Sequence, residues 1–355
     1  MFARIALVPV ALVLAAATSL AQKPAEAGAK KPSLDVGAPA PALHVEKWVK
    51  GSPVPAFEKG KTYVVEFWAT WCGPCIASMP HLSALQRQYK DKGVTFIGVT
   101  TKDPRNDLAA VEAMVKKKGD GMDYTVAWDE AQKTYAAYMA AAGQDGIPCA
   151  FLVDGAGKIA YIGHPMFLDL PVEQVVAGTW DPKKGPAAIE AAMKAMEDIA
   201  GSIESDPKAA LATIAEFEKA HPEYAKLVAT MKFDALLGAG DFPAAYAWGS
   251  KLVDEAIAHK DAEALNDIAW KIVDPEAKWG KVDLDLALRA AEKGVALTDE
   301  KDAAVLDTLA RVWFVKGDVA KAIEIETKAV AVASGKMKED LERALAEYKA
   351  KGAKG

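Results

Sequence analysis

Cysteine is scarce in this chain, with three residues in 355. That is too few for a disulfide-stapled scaffold. A chain of this length, 51% apolar, can build its core without staples. Basic blocks are lacking too. Runs such as Lys116-Lys117-Lys118 are short, and a net charge of −6 is spread along the length, which argues against a nucleic-acid partner. No apolar stretch after the first residues is long enough for a membrane helix. His81, His164, His221 and His259 show no ligand spacing, and no Cys or His pair stands near Cys72 and Cys75 to complete a zinc site, so no metal is expected. Ile76 follows Cys75 where a c-type haem attachment needs histidine. No cofactor is expected.

The beginning of the chain is informative. Arg4 supplies a positive charge, residues 5–17 are apolar, and Ser19-Leu20-Ala21 places small residues before Gln22. This pattern predicts a secretory leader over residues 1–21, too short to span a bilayer comfortably. No Cys follows the apolar stretch, so a lipoprotein is excluded. The alternative, an uncleaved anchor, keeps the same compartment. Residues 22–36, rich in Ala, Lys, Gly and Pro at their start, read as a flexible linker. The expected location is a bacterial periplasm, or the exterior if the source is not Gram-negative.

Two domains follow. Residues 63–69 form an apolar, β-branched and aromatic run that predicts a buried strand, and 76–89 predicts a helix. Further strands are expected over 94–99 and 124–128, with helices over 108–117 and 131–142. Asp154-Gly155-Ala156-Gly157 joins strands at 149–153 and 158–162 as a hairpin, and 172–177 predicts a closing helix. This alternation implies an α/β domain over 37–178, a mixed central sheet with helices on both faces. Thr179 to Pro186 opens a linker and connecting helix, 179–205. From 206 to 350 alanine dominates, helical periodicity continues and strand signals vanish. Gly240-Asp241-Phe242-Pro243-Ala244-Ala245 resembles Gly317-Asp318-Val319-Ala320-Lys321-Ala322, which predicts an all-α repeat domain.

The chemistry concentrates at Trp71-Cys72-Gly73-Pro74-Cys75, between a strand and a helix. A thiol at a helix N-terminus meets unpaired N–H groups and the positive end of the macrodipole, which favour thiolate. Cys72 is thus the expected nucleophile. Cys75, about one turn further in, can resolve a mixed disulfide. As a passive staple the pair would do little, because it closes almost no chain. Glu66 is the one charged residue in Tyr63-Val64-Val65-Glu66-Phe67-Trp68. Burying a carboxylate is costly without a partner or a task. It either exchanges protons with a raised pKa, or is satisfied by a neighbouring lysine. Pro148, opening a strand, is compatible with a cis bond in a tight turn.

These residues resemble the thioredoxin superfamily. The run Val65-Glu66-Phe67-Trp68-Ala69-Thr70-Trp71-Cys72-Gly73-Pro74-Cys75 is similar to its active-site strand and turn, Pro80 to its helix-kinking proline, and Gly146-Ile147-Pro148 to its cis-proline loop. Gly37-Ala38-Pro39-Ala40-Pro41, Ala69-Thr70 and the leader narrow the resemblance to the periplasmic TlpA/ResA-like branch, over residues 37–178. The resemblance implies a thioredoxin-like fold and thiol–disulfide exchange, with Cys72 attacking, Cys75 resolving and Glu66 as the buried acid. It implies a substrate-docking edge of Trp71, Gly73, Pro74, Ile147 and cis-Pro148. Cys149 departs from the pattern, since a small residue such as Thr usually follows the cis-proline. It is either a buried small hydrophobe or a third exchanging thiol. In the second domain Leu306, Leu309, Ala310, Trp313, Gly317, Ala322 and Ala329 resemble a tetratricopeptide repeat, the alternative being a non-repetitive bundle.

The expected function is reduction or exchange of disulfides in exported proteins, with a role in cell redox homeostasis. Its partners would be protein disulfides, an electron donor such as a membrane thiol reductase, and a protein or peptide bound by the helical repeats. One alternative is a redox-sensing binding module that uses those repeats. A thiol peroxidase is disfavoured: peroxiredoxins need Thr three residues before the reactive Cys, and Ala69 stands there.

Overall fold

The structure, a computed structural model, describes residues 32–277 and 279–353. The expected leader and most of the expected linker therefore lie outside the described residues. Of the described residues, those up to Asp198 together with Phe217–Leu227 form one compact unit. Ile199–Glu216 and the residues from Val228 onward form the other.

The first unit is built on strands β1 (Lys47–Lys50), β2 (Thr62–Trp68), β3 (Val94–Thr101), β4 (Thr125–Asp129), β5 (Cys149–Val153) and β6 (Ile159–Gly163). Their order in the sheet is β1-β4-β3-β2-β5-β6. The central strands β4, β3 and β2 run parallel, while β1, β5 and β6 pair antiparallel to their neighbours. Every residue of β2, β4 and β5 is buried, as continuous apolar runs require when both sheet faces are covered. Alternation puts Val65, Phe67, Ile97, Val99 and Phe151 on one face, packed on Tyr138 and Met139. The rings of Phe67, Tyr138 and Phe151 meet there at 5.1–5.9 Å between centroids. Helix α1 (Gly73–Tyr89) packs on β3. Its Gln86 bridges them, donating to the Val94 carbonyl at 3.1 Å and accepting from the Phe96 amide at 2.8 Å. Helix α2 (Leu108–Lys118) is capped by Asp107, whose carboxylate accepts from the Ala110 amide.

Three features depart from the sequence expectations. Strand β1, unanticipated, is an edge strand with lysine at both ends and a bulge between Trp48 and Lys50, so it carries no apolar alternation. The segment expected as a helix over 131–142 is one α-turn, α3 (Lys133–Tyr135), followed by a wider coil at Ala136–Ala140. There the Ala141 amide reaches back five residues to the Ala136 carbonyl. The wider turn lets the adjacent Tyr138 and Met139 both be fully buried. Third, Phe217–Leu227 groups with the first unit: Tyr224, 1% exposed, meets Phe167 edge-on at 5.3 Å. After β6 the chain forms α4 (Asp169–Ala177), then α5 (Lys184–Ser205) and α6 (Pro207–Ala220).

The second unit is helical among its described residues. It contains α7 (Ala229–Gly238), α8 (Phe242–His259), α9 (Ala262–Val273), α10 (Leu284–Leu297), α11 (Ala303–Lys316), α12 (Val319–Val332) and α13 (Gly335–Gly352). Helices α8 to α12 each begin at an aspartate cap, Asp241, Asp261, Asp283, Asp302 and Asp318, whose carboxylate accepts from a first-turn amide. Each such cap contributes about 1 kcal/mol. Successive helices pack closely where side chains are small. A Cβ at Gly249 would come within 2.9 Å of the Phe233 ring, and one at Gly294 within 3.1 Å of Val305. Of the residues singled out in this region, Leu306, Leu309, Ala310, Ala322 and Ala329 are buried, and Gly317 ends α11 at φ 91°.

Candidate active site

Strand β2 ends at Trp68, and a turn closed by the Cys72 amide on the Ala69 carbonyl (3.1 Å) leads into α1. Cys72 is the cap of that helix, in extended backbone conformation, and Pro74 occupies its first turn, where a missing N–H costs nothing. Cys72 and Cys75 are joined as a disulfide, with Cα atoms 5.3 Å apart. The Cys75 amide points at Cys72 Sγ from 3.2 Å. In the reduced protein that N–H is placed to stabilise a thiolate. Both sulfur-bearing residues are buried in the oxidised state, Cys72 at 3% exposure and Cys75 at 1%, while the neighbouring Trp71 is 41% exposed. Pro80 lies inside α1.

The Ile147–Pro148 peptide is cis, and the Ile147 carbonyl oxygen lies 3.7 Å from Cys72 Sγ. The two segments singled out in the sequence, the redox turn and the Ile147-Pro148 loop, thus meet at Cys72.

Glu66 stands in mid-β2, paired across the sheet with Gly98 on β3 and Ala150 on β5. It is 2% exposed, and neither carboxylate oxygen has a hydrogen-bond partner among the described residues. No lysine satisfies it. Desolvation alone raises its pKa from 4.5 to about 8. A Cβ at Gly98, the residue paired with Glu66, would lie 3.0 Å from both Trp68 Nε1 and Tyr124 Cε2, so the bare backbone there makes room for both rings. Neither Trp68 Nε1 nor the Tyr124 hydroxyl has a hydrogen-bond partner among the described residues, so the carboxyl is left without a donor. The Tyr124 hydroxyl is held far up its titration range by burial and then by the Glu66 charge.

Cys149 is a free thiol, wholly buried. It pairs with Phe67 and belongs to that ring's side of the sheet, whereas Glu66 points to the other face. Its Sγ lies 4.0 Å from Gln144 Oε1. Burial first, and the Glu66 charge second, push the thiol well above its ordinary range.

Sequence reading missed the loop after β3. Asn106, 1% exposed, accepts from the Thr70 amide (3.0 Å) and hydroxyl (2.7 Å), directly before Trp71-Cys72. Asp103 accepts from the Trp71 indole at 2.8 Å, and the Arg105 guanidinium sits 3.9 Å from that ring's centroid. In sequence, Lys102 to Asp107 reads only as a polar turn. His81 and His164 also have roles in packing. His81 lies 3.0 Å from an Asp169 carboxylate oxygen, and His164 is buried with its pKa lowered to about 4, by burial and then by His81. Among the described residues no cluster of His, Cys, Asp and Glu is arranged to hold a metal ion.

Residues 35–173 match the redoxin family. The protein FixW of Rhizobium leguminosarum is 32% identical over 152 residues, covering 42% of this chain and 69% of that protein. The thiol-disulfide oxidoreductase ResA of Bacillus anthracis is 33% identical, covering 37% of this chain and 70% of its own. The thiol:disulfide interchange protein HelX of Rhodobacter capsulatus is 31% identical, covering 42% and 82%. The chain belongs to the redoxin family of thiol-disulfide oxidoreductases. A solved structure of a thioredoxin-family thiol:disulfide interchange protein from Chlorobium tepidum TLS shows 28% identity, with a TM-score of 0.34 over 39% of this chain and 97% of that one. By its family match and its mixed six-stranded sheet, the first unit of this oxidoreductase is thioredoxin-like, and its dithiol is the Cys72–Cys75 pair. The family match ends at residue 173, before the helical unit begins.

Proposed function

We propose that this oxidoreductase is exported to the periplasm and reduces disulfides of exported proteins, with Cys72 as nucleophile, Cys75 as resolving thiol and Glu66 as the buried proton acceptor. The reading rests chiefly on one juxtaposition: a disulfide capping α1, with the Cys75 amide aimed at Cys72 Sγ, and an unpartnered carboxyl buried in the strand that leads to it. In the reduced enzyme the Cys72 thiolate attacks one substrate sulfur. A Cys72–substrate bond forms, the substrate S–S bond breaks, and the first substrate thiolate leaves. Cys75 then gives its proton to the Glu66 carboxylate and attacks Cys72 Sγ. The mixed disulfide breaks and the second substrate thiolate departs. Substrate gains two electrons and the enzyme ends as the disulfide. A thiol donor, such as a membrane thiol reductase, returns it to the dithiol. A Glu66 pKa of about 8 leaves the carboxyl able to accept and release a proton near neutrality.

Trp71, Gly73, Pro74, Ile147 and Pro148 form the docking edge in this reading, supported by the exposure of Trp71 and the 3.7 Å approach of Ile147 to Cys72. Gly73-Pro74 between the cysteines resembles the reducing thioredoxins, which favours reduction over oxidation. The apolar stretch at 5–17 with Ser19-Leu20-Ala21 supports a cleaved leader. The second unit, a tetratricopeptide-like array, would bind a protein or peptide partner; its regular Asp-capped helices and small residues at helix contacts support that. Reduction of insulin with dithiothreitol as donor tests the activity. Catalysed precipitation of the insulin B chain is expected, and a folded protein that gives none would refute the reading.

A further inference from the structure

A buried asparagine with every hydrogen-bonding position filled is an unusual object beside a redox turn. Asn106 Oδ1 accepts from the Thr70 amide at 3.0 Å and the Thr70 hydroxyl at 2.7 Å. Its Nδ2 donates to Thr100 Oγ1 at 2.9 Å and to the Thr101 carbonyl at 2.7 Å. Those four bonds exhaust an amide side chain. The partners also fix which end is which, since the Thr70 N–H needs an oxygen and the Thr101 carbonyl needs a donor. One side of the amide is thereby tied to the end of β3 and the other to the residue two places before Cys72.

The loop carrying Asn106 is itself cross-linked by hydrogen bonds. Asp103 and Asn106 exchange backbone hydrogen bonds at 3.0 and 3.1 Å, and the Asp103 carboxylate accepts from the Arg105 amide at 2.7 Å. The same loop holds Trp71, through Asp103 on the indole N–H and Arg105 over the ring. Two consecutive residues, Thr70 and Trp71, are thus gripped from one side, and the next residue is Cys72. A fully satisfied polar network in a dry site specifies geometry more sharply than apolar packing does. Cys72 depends on geometry: its Sγ must stay within reach of the Cys75 amide, 3.2 Å away, and beside the Ile147 carbonyl.

We propose that Asn106 is a positioning residue for thiol exchange, holding the Ala69–Cys72 turn so that the Cys72 sulfur stays on the Cys75 amide. This rests on the reading of Cys72 as nucleophile. Asn106 touches neither substrate nor sulfur; it acts through Thr70. Removing it frees the turn, weakens the N–H to sulfur contact and raises the Cys72 thiol pKa.

The test is the pH profile of Cys72 alkylation by iodoacetamide in the reduced full-length protein, with labelling located by peptide mass. In Asn106→Ala the midpoint is expected to rise by about one pH unit, and labelling at pH 6 to slow roughly tenfold, the equivalence of one unit below the midpoint. Thr70→Val, which loses only the hydroxyl contact, is expected to shift the same way by less, and Thr70→Ser, which keeps it, to restore the wild-type profile. Midpoints unchanged in both Asn106→Ala and Thr70→Val would overturn the proposal, whatever happens to thermal stability. If Asn106→Ala does not fold, the Thr70→Val and Thr70→Ser pair decides alone. Wild-type failure to reduce insulin would refute the proposed function instead, while the alkylation profile, which needs only the thiol, would still decide the role of Asn106.

Discussion

Glu66→Gln separates a buried acid from a passive strand residue by its effect on stability against pH. In the folded protein desolvation raises the carboxyl from 4.5 to about 8. Its folded pKa lies above its unfolded one, so the folded state holds the proton more tightly. The stability this contributes is complete below pH 4.5 and is lost as pH rises through about 8. With each pH unit of gap equivalent to about 1.4 kcal/mol, the wild type should lose on the order of 5 kcal/mol between pH 4 and pH 9 relative to a protein whose residue 66 cannot ionise. At pH 7 the loss is about 3 kcal/mol by the same linkage. The Gln amide carries its own burial cost, of about 1–3 kcal/mol without partners, but that cost does not vary with pH. The slope of the difference therefore carries the information. The assay is urea denaturation of oxidised wild type and Glu66→Gln across this range, with the helical unit, identical in both, cancelling. A wild type that weakens steadily against the variant above pH 5 is the expected result. A difference that stays level with pH would mean that Glu66 is ionised and solvated in the fold, and the reasoning would fail.

Two further outcomes follow from the packing. Cys149→Thr should keep insulin reduction within about twofold of wild type, because the thiol is buried on the Phe67 side of the sheet and free in the oxidised protein; peptide mapping that finds a Cys72–Cys149 linkage after native oxidation would make it a working thiol instead. Tyr224→Ala should destabilise the disulfide-bearing unit by about 3 kcal/mol, the usual cost of deleting a buried aromatic ring, although residue 224 lies far beyond the family match; thermal inactivation of insulin reduction at an unchanged temperature would count against that packing.

How much of this was legible in the sequence depended on whether the signal was local. Strand β2 announced itself because its apolar run is continuous, and Glu66 stood out as the one charge within it. The helix after the redox turn was readable too, although it begins at Gly73, three residues earlier than the 76–89 expected, because Cys72 caps it and Pro74 fits its first turn. The cis bond at Pro148 was only compatible with the local residues, and needed the family resemblance to be expected. Strand β1 was hidden because Lys47 and Lys50 give an edge strand the look of a loop. The coil at Ala136–Ala140 was misread as ordinary helix, since its widening serves to bury Tyr138 and Met139 side by side, a tertiary demand. Asn106 was invisible for a similar reason. Asp103, Pro104, Asn106 and Asp107 are turn residues by composition, and nothing in their spacing says that one of them reaches back 36 positions to Thr70. Tyr224 lies in a stretch with the alanine-rich character of the helical domain, yet packs on Phe167.

The central claim is that Cys72 attacks and Cys75 resolves, and it is tested most directly by trapping. Cys75→Ser leaves Cys72 able to attack a disulfide substrate and removes the thiol that would release it. Incubated with oxidised insulin and analysed by peptide mass under non-reducing conditions, this variant should accumulate a mixed disulfide at Cys72, close to one per chain, and Cys72→Ser should accumulate far less. Adducts concentrated at Cys75 in the Cys72→Ser variant, or at Cys149 in Cys75→Ser, would contradict the account.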